Sequence, residues 1–107
     1  MIQFKVDKNG HCVIPEGTQI IEEKAFEYYS FLRSIEIPDS VTTIGEYLFC
    51  GNFNISSLII HYKEPDKVPK ELPISEKISL HVPIGTGYAY RHHPSFAPFK
   101  EIIADVR

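Results

Sequence analysis

The sequence predicts an α/β repeat fold in which short parallel strands stack one above the next, and three observations predict it. The stretch "IPEGTQIIEEKAF", beginning at Ile14, returns 23 residues later as "IPDSVTTIGEYLF", beginning at Ile37. Ile35 and Ile37 alternate with Ser34 and Glu36, which gives one apolar and one polar face over a strand-length stretch. The same inward spacing recurs towards both ends, as Cys12 with Ile14 and as Leu80 with Val82.

Each element follows in order. "IQFKV" and "HCVI" flank Asp7-Lys8-Asn9-Gly10, and the Asn-Gly pair favours a tight turn, so residues 1–14 read as a capping hairpin that ends in the first strand. Repeat 1 covers residues 14–36 and repeat 2 residues 37–60. Between them Ile14 matches Ile37, Pro15 matches Pro38, Ile21 matches Ile44, Glu23 matches Glu46 and Phe26 matches Phe49. The columns continue as Leu32/Ile55, Ile35/Leu58 and Ile37/Ile60, so "LRSIEI" and "ISSLII" carry the strand spacing of a leucine-rich repeat. Pro38, Asp39 and Ser40 turn the chain out of the strand. Ile44, Leu48 and Phe49 then fall on one side of a short helical turn.

One such unit cannot bury its own apolar edge, whereas stacked units cover one another. Parallel strands are therefore expected near residues 11–14, 34–37, 57–61 and 79–82. Residues 61–83 form an atypical third repeat, with three prolines between Tyr62 and Ile78 and with Lys77 in the column of Leu32 and Ile55. Residues 84–107 form a C-terminal cap: "GTGYAYRHH" as a short helix stopped by Pro94, then Phe96, Phe99, Ile102 and Ile103 as packing groups.

Composition narrows the function. The chain has 107 residues, 43% hydrophobic, enough for one domain with a packed core. The net charge of −3 comes from interspersed charges without a Lys/Arg stripe, which argues against nucleic acid and against a polybasic membrane anchor. No apolar run reaches the roughly 18 residues of a membrane span. The first ten residues lack the regions of a signal peptide, so the compartment and the completeness of the chain are left open. Cys12 in a core column and Cys50 on a turn read as free thiols.

"IPDSVTTIGEYLFCGN" closely resembles the unit of the BspA-like leucine-rich repeats, and "IPEGTQIIEEKAFEYY" resembles it more loosely. "LHVPIGTGYAYRHHPSFAPFKEI" is similar to the closing segment of that family through Pro83, Gly85, Ala89, Tyr90, Phe96, Phe99 and Ile102. Tyr28-Tyr29 depart from the small residues usual in the turn, and Cys50 sits one residue before Gly51. The resemblance implies a short right-handed β/α solenoid. It also implies a non-enzymatic protein-binding module of the recognition or adhesion type, often exported or at the bacterial cell surface. The implied partner is a protein, of the host or of a cell surface, and no catalytic residue comes with the resemblance.

The residues support the same reading. The outward strand columns hold His11, Val13, Ser34, Glu36, Ser57, Ile59, His61, Ser79 and His81. Within them Glu36, Ile59, His61 and His81 are the candidate binding residues, with Ile59 as an apolar anchor. Against the anchor stands the ordinary occurrence of single exposed apolar residues. Tyr28 and Tyr29 add a second candidate surface, with Phe31 assigned to packing. His61 and His81 on neighbouring strands are one or two ligands short of a zinc site, so no metal and no cofactor is expected. His92 and His93 are adjacent on a helix and do not chelate together. No nucleophile elbow, phosphate loop or zinc-protease motif occurs, so no enzyme activity is expected. The alternative to recognition of another protein is a scaffold or self-association role as a homo-oligomer.

Overall fold

The computed structural model describes residues 4–22, 25–26, 31–45 and 54–107. The chain forms an α/β repeat fold dominated by a parallel sheet. Its strands are β1 (His11–Val13), β3 (Ser34–Ile37), β5 (Ser57–Ile60), β6 (Ser79–Pro83) and β7 (Glu101–Val106), adjacent in that order. All four pairings are parallel. The register puts Cys12, Ile35, Leu58, Leu80 and Ile102 side by side in one inward column. Ile37 and Ile60 pair in the next, and Ile14, Ile37, Ile60 and Val82 are all buried. Burying an aliphatic side chain of this size contributes about 1.5–3 kcal/mol, so these two columns supply the cohesion between coils.

The four expected strands form within a residue of their expected bounds. Two features were not expected. A fifth strand, β7, extends the sheet beyond β6, and Ile102 continues the inward column instead of serving as loose cap packing. On the far side of the coils, β2 (Ile20–Ile21) and β4 (Thr43–Ile44) pair in parallel as a second, two-stranded sheet. Ile44 was read as the start of a helical turn, and it is a strand residue. Leu48 and Phe49, the other members of that turn, lie outside the described residues.

The turn at Asp7–Gly10 forms as expected. The Asp7 carboxylate accepts from the backbone N–H of Asn9 (2.8 Å) and of His11 (2.9 Å), and Asp7 N–H donates to the His11 carbonyl at 2.9 Å. These amides, that of His11 foremost, hold the Asp7 carboxyl below its ordinary range. Residues 4–7 are not strand, so over the described residues the turn has no second ladder arm. Gly10 has φ +79°, and its bare Cα lets the stem of Arg33 approach, while Arg33 N–H donates to its carbonyl at 2.7 Å.

Side-chain staples repeat along with the backbone. Pro15–Thr18, Pro38–Val41 and Pro83–Thr86 form equivalent turns, each closed by a bond from the fourth residue to the proline carbonyl. Ser40 in the second turn accepts from Gly17 N–H (3.0 Å) and donates to the Thr18 carbonyl (2.8 Å) of the first. Deeper in, Tyr90 donates to the Tyr62 carbonyl, and Tyr62 donates to the Val41 carbonyl at 2.7 Å. Both tyrosines are buried. Burial raises both phenols, Tyr62 to about 12.

Helix α1 (Gly87–Arg91) forms where the sequence placed it and packs on β7, with Arg91 donating to the Ile102 carbonyl at 3.0 Å. Tyr90 meets Phe96 edge-on at 5.0 Å, and Phe96 stacks near Phe99. His93 binds Asp66 of the third repeat at 2.8 Å, which fastens this segment to the preceding coil. No helix among the described residues is long and apolar enough to cross a membrane.

Candidate protein-binding face

Alternation along five in-register strands decides which side chains leave the core. One outward row runs His11, Ser34, Ser57, Ser79, Glu101, and the next runs Val13, Glu36, Ile59, His81, Ile103. The first row is stitched by cross-strand bonds: His11 Nδ1 with the Ser34 hydroxyl, and the Ser79 hydroxyl donating to Glu101 at 2.7 Å.

The second row is bordered by two acid–histidine pairs. Glu36 Oε2 lies 2.6 Å from Nε2 of His61, with both side chains about one-third exposed. His81 Nδ1 lies 2.9 and 3.1 Å from the two carboxylate oxygens of Asp105. The β6–β7 register slips by one residue between His81 and Pro83, and Asp105 sits within that irregularity. Each pair is diagonal, joining a strand residue to one two positions beyond its direct partner, which is within reach of long side chains.

The structure therefore brings Glu36 and His61 together, as neighbours on the expected face. It separates His61 from His81 chemically: each is engaged by its own carboxylate. Among the described residues, no group of three or more His, Cys, Asp or Glu is placed to hold one metal ion. Ile59 is on the face between Glu36 and His81, but it is half-buried. The more open apolar side chain on this face is Val13, 56% exposed. Tyr28, Tyr29 and Cys50 lie outside the described residues. Phe31, assigned to packing, keeps 48% of its surface exposed. Cys12 is a buried free thiol, raised to about 11 by burial and then by the charge of Asp7. Asp105 and Glu101 went unread because β7 did. The signal was present, since both lie one repeat of 22 to 24 residues beyond their partners Ser79 and His81.

At the foot of the face, where β1 and β3 enter their turns, a hollow of about 240 Å³ is lined by Val13, Pro15, Glu16, Glu36, Pro38 and His61, with Ile14 at its base. Its walls are apolar and its polar groups are two carboxylates and one imidazole. Chemically the face offers carboxylate acceptors, half-exposed aliphatic surface and imidazole rings held by those carboxylates.

No curated protein and no solved structure matches the chain. A family model described as a BspA type leucine rich repeat region of six copies matches residues 3–71. That span contains both strict repeats, strands β1 to β5 and the second sheet. Such repeats typically mediate protein interactions and are generally not enzymes. With the repeat, the parallel ladder and the match over well over half its length in agreement, the chain belongs to the BspA type leucine-rich-repeat family.

Proposed function

We propose that this chain is a non-enzymatic recognition or adhesion-type module that grips a protein partner with the outward face of its five-stranded sheet. The organisation that suits this role is a short capped solenoid, closed by residues 1–14 at one end and 84–107 at the other. The observation that carries the reading is the face itself: half-exposed Ile59 and Ile103 and exposed Val13 interleave with Glu36 and His81, whose side chains are held by His61 and Asp105. Held polar groups lose little rotamer freedom on docking, and interleaved aliphatic area supplies the driving force. Tyr28 and Tyr29 are a second proposed contact. A host or cell-surface protein is the class of partner that the family suggests.

The test is capture of a partner by the purified domain, repeated with Ile59→Asp plus His81→Glu. The reading expects loss of capture with the circular dichroism spectrum and melting temperature kept near wild type. Undiminished capture by the double variant would remove the sheet face from the account.

A second reading, self-association, is favoured by one observation. A groove beside the first coil is lined by Phe4, Val13, Pro15 and Ile20, and Ile20 is 58% exposed. Sedimentation equilibrium decides it: a mass that stays monomeric as concentration rises rejects the homo-oligomer.

A further inference from the structure

We propose that the sheet face takes an extended, otherwise apolar segment of its partner that carries one arginine, with the guanidinium seated in the hollow between Glu16 and Glu36. The inference rests on the sheet-face reading above and adds the chemistry of what is gripped.

Charge points to a cation. The outward columns carry Glu36, Glu101 and Asp105, and Glu16 stands on the rim, while no Lys or Arg occupies those columns or lines the hollow. Among the described residues neither Glu16 nor Glu36 has a Lys or Arg partner. Glu36 is oriented in advance: His61 holds its Oε2, leaving Oε1 without a partner among the described residues. Glu16 is carried on the other wall by the turn Pro15–Thr18, in which Gly17 adopts φ +89°.

Shape points to one side chain. At about 240 Å³ the hollow is smaller than the roughly 300 Å³ at which pockets for whole small molecules begin. Val13, Pro15 and Pro38 offer apolar walls to an aliphatic stem, the arrangement that long basic side chains favour. Two carboxylates, one from the Pro15–Thr18 turn and one from β3, match a planar fork of donors better than a point charge, which selects arginine over lysine. The row continues on one side of the hollow with Ile59 and, past His81, Ile103, and exposed Val13 borders it on the other, so the residues flanking the arginine are apolar.

The probe is the peptide acetyl-Leu-Arg-Leu-amide, titrated into ¹⁵N-labelled protein beside its citrulline counterpart, which keeps the shape and removes the charge. The expected result is saturable shifts at the amides of Val13, Glu16, Glu36 and His61, with a Kd on the order of 1 mM for so short a peptide. Citrulline, and Glu16→Gln with Glu36→Gln in the protein, should each weaken the response at least tenfold, while Glu76→Gln, off the face, leaves it unchanged. Absent shifts, or equal shifts with citrulline, overturn the proposal. If partner capture still depends on Ile59 and His81 in that case, only the arginine is lost. If it does not, the face is lost too.

Discussion

Replacing Tyr90 with phenylalanine tests the tyrosine relay that fastens successive coils. The ring would stay in place, since its edge-on contact with Phe96 at 5.0 Å does not involve the hydroxyl, so no cavity opens. What disappears is the donor to the Tyr62 carbonyl, on a residue that is itself 2% exposed. A net hydrogen bond is worth about 1 kcal/mol, and a buried acceptor left without its donor adds a desolvation cost of similar size, giving about 2 kcal/mol. In a domain near this length each kcal/mol moves the melting temperature by about 4 °C or more, so Tyr90→Phe should melt about 8 °C lower. Thermal unfolding followed by circular dichroism reads this directly, and urea unfolding with an unchanged m-value confirms that the native state is intact. A melting temperature within about 1 °C of wild type would refute the relay, because no exposed hydroxyl is being compared.

Other consequences are as concrete. Gly10→Ala should cost well over 1 kcal/mol, because the added Cβ meets the Phe31 carbonyl and the Arg33 stem at φ +79°. Gly17→Ala, at φ +89° but with nothing within 4 Å, should cost only about 1 kcal/mol of backbone strain, and denaturant titration of the pair separates clash from conformation. Ser40→Ala removes both bonds that tie the second turn to the first and should cost about 1 kcal/mol by the same measurement. Alkaline pH should destabilise the fold. Cys12 and Tyr62 are raised above their ordinary values, so their contribution is complete below the unfolded-state pKa and drains away as pH climbs to the folded one. Melting temperature should therefore fall from pH 9 to about 11 for Cys12 and from pH 10 to about 12 for Tyr62, and a flat profile would contradict their burial.

The sheet was legible where the repeat was strict. Inward columns such as Ile35/Leu58 and Ile37/Ile60 stand out because a period of 23 residues holds only if the same side chains meet in each coil. β7 was hidden because "EIIADV" lacks the proline turn of the other units and its Ile102-Ile103 pair reads as generic cap packing, although Ile102 lies 22 residues beyond Leu80. β2 and β4 were hidden for another reason. Two residues are too few to display alternation, and the apolar spacing from Ile44 to Phe49 fits a helical turn equally well.

The candidate site divides the same way. Column membership placed Glu36, Ile59, His61 and His81 on one face, because strand alternation alone fixes that. Their pairing was not legible. Glu36 reaches His61 diagonally and His81 turns to Asp105, and both choices depend on side-chain reach and on a register slip that no spacing rule reveals. Exposure was not legible either: Val13, not Ile59, stands furthest out, because among the described residues β1 has a neighbouring strand on one side only.

The face exists only if the coils stack in this register, and methyl–methyl nuclear Overhauser effects measure that most directly. The account predicts a continuous series of contacts from Ile35 to Leu58, Leu58 to Leu80 and Leu80 to Ile102. A slip of one residue would turn every outward side chain inward. Contacts of Ile59 with Ile35 or Leu80 methyls, in place of that series, would contradict both the stacking and the proposed binding face built on it.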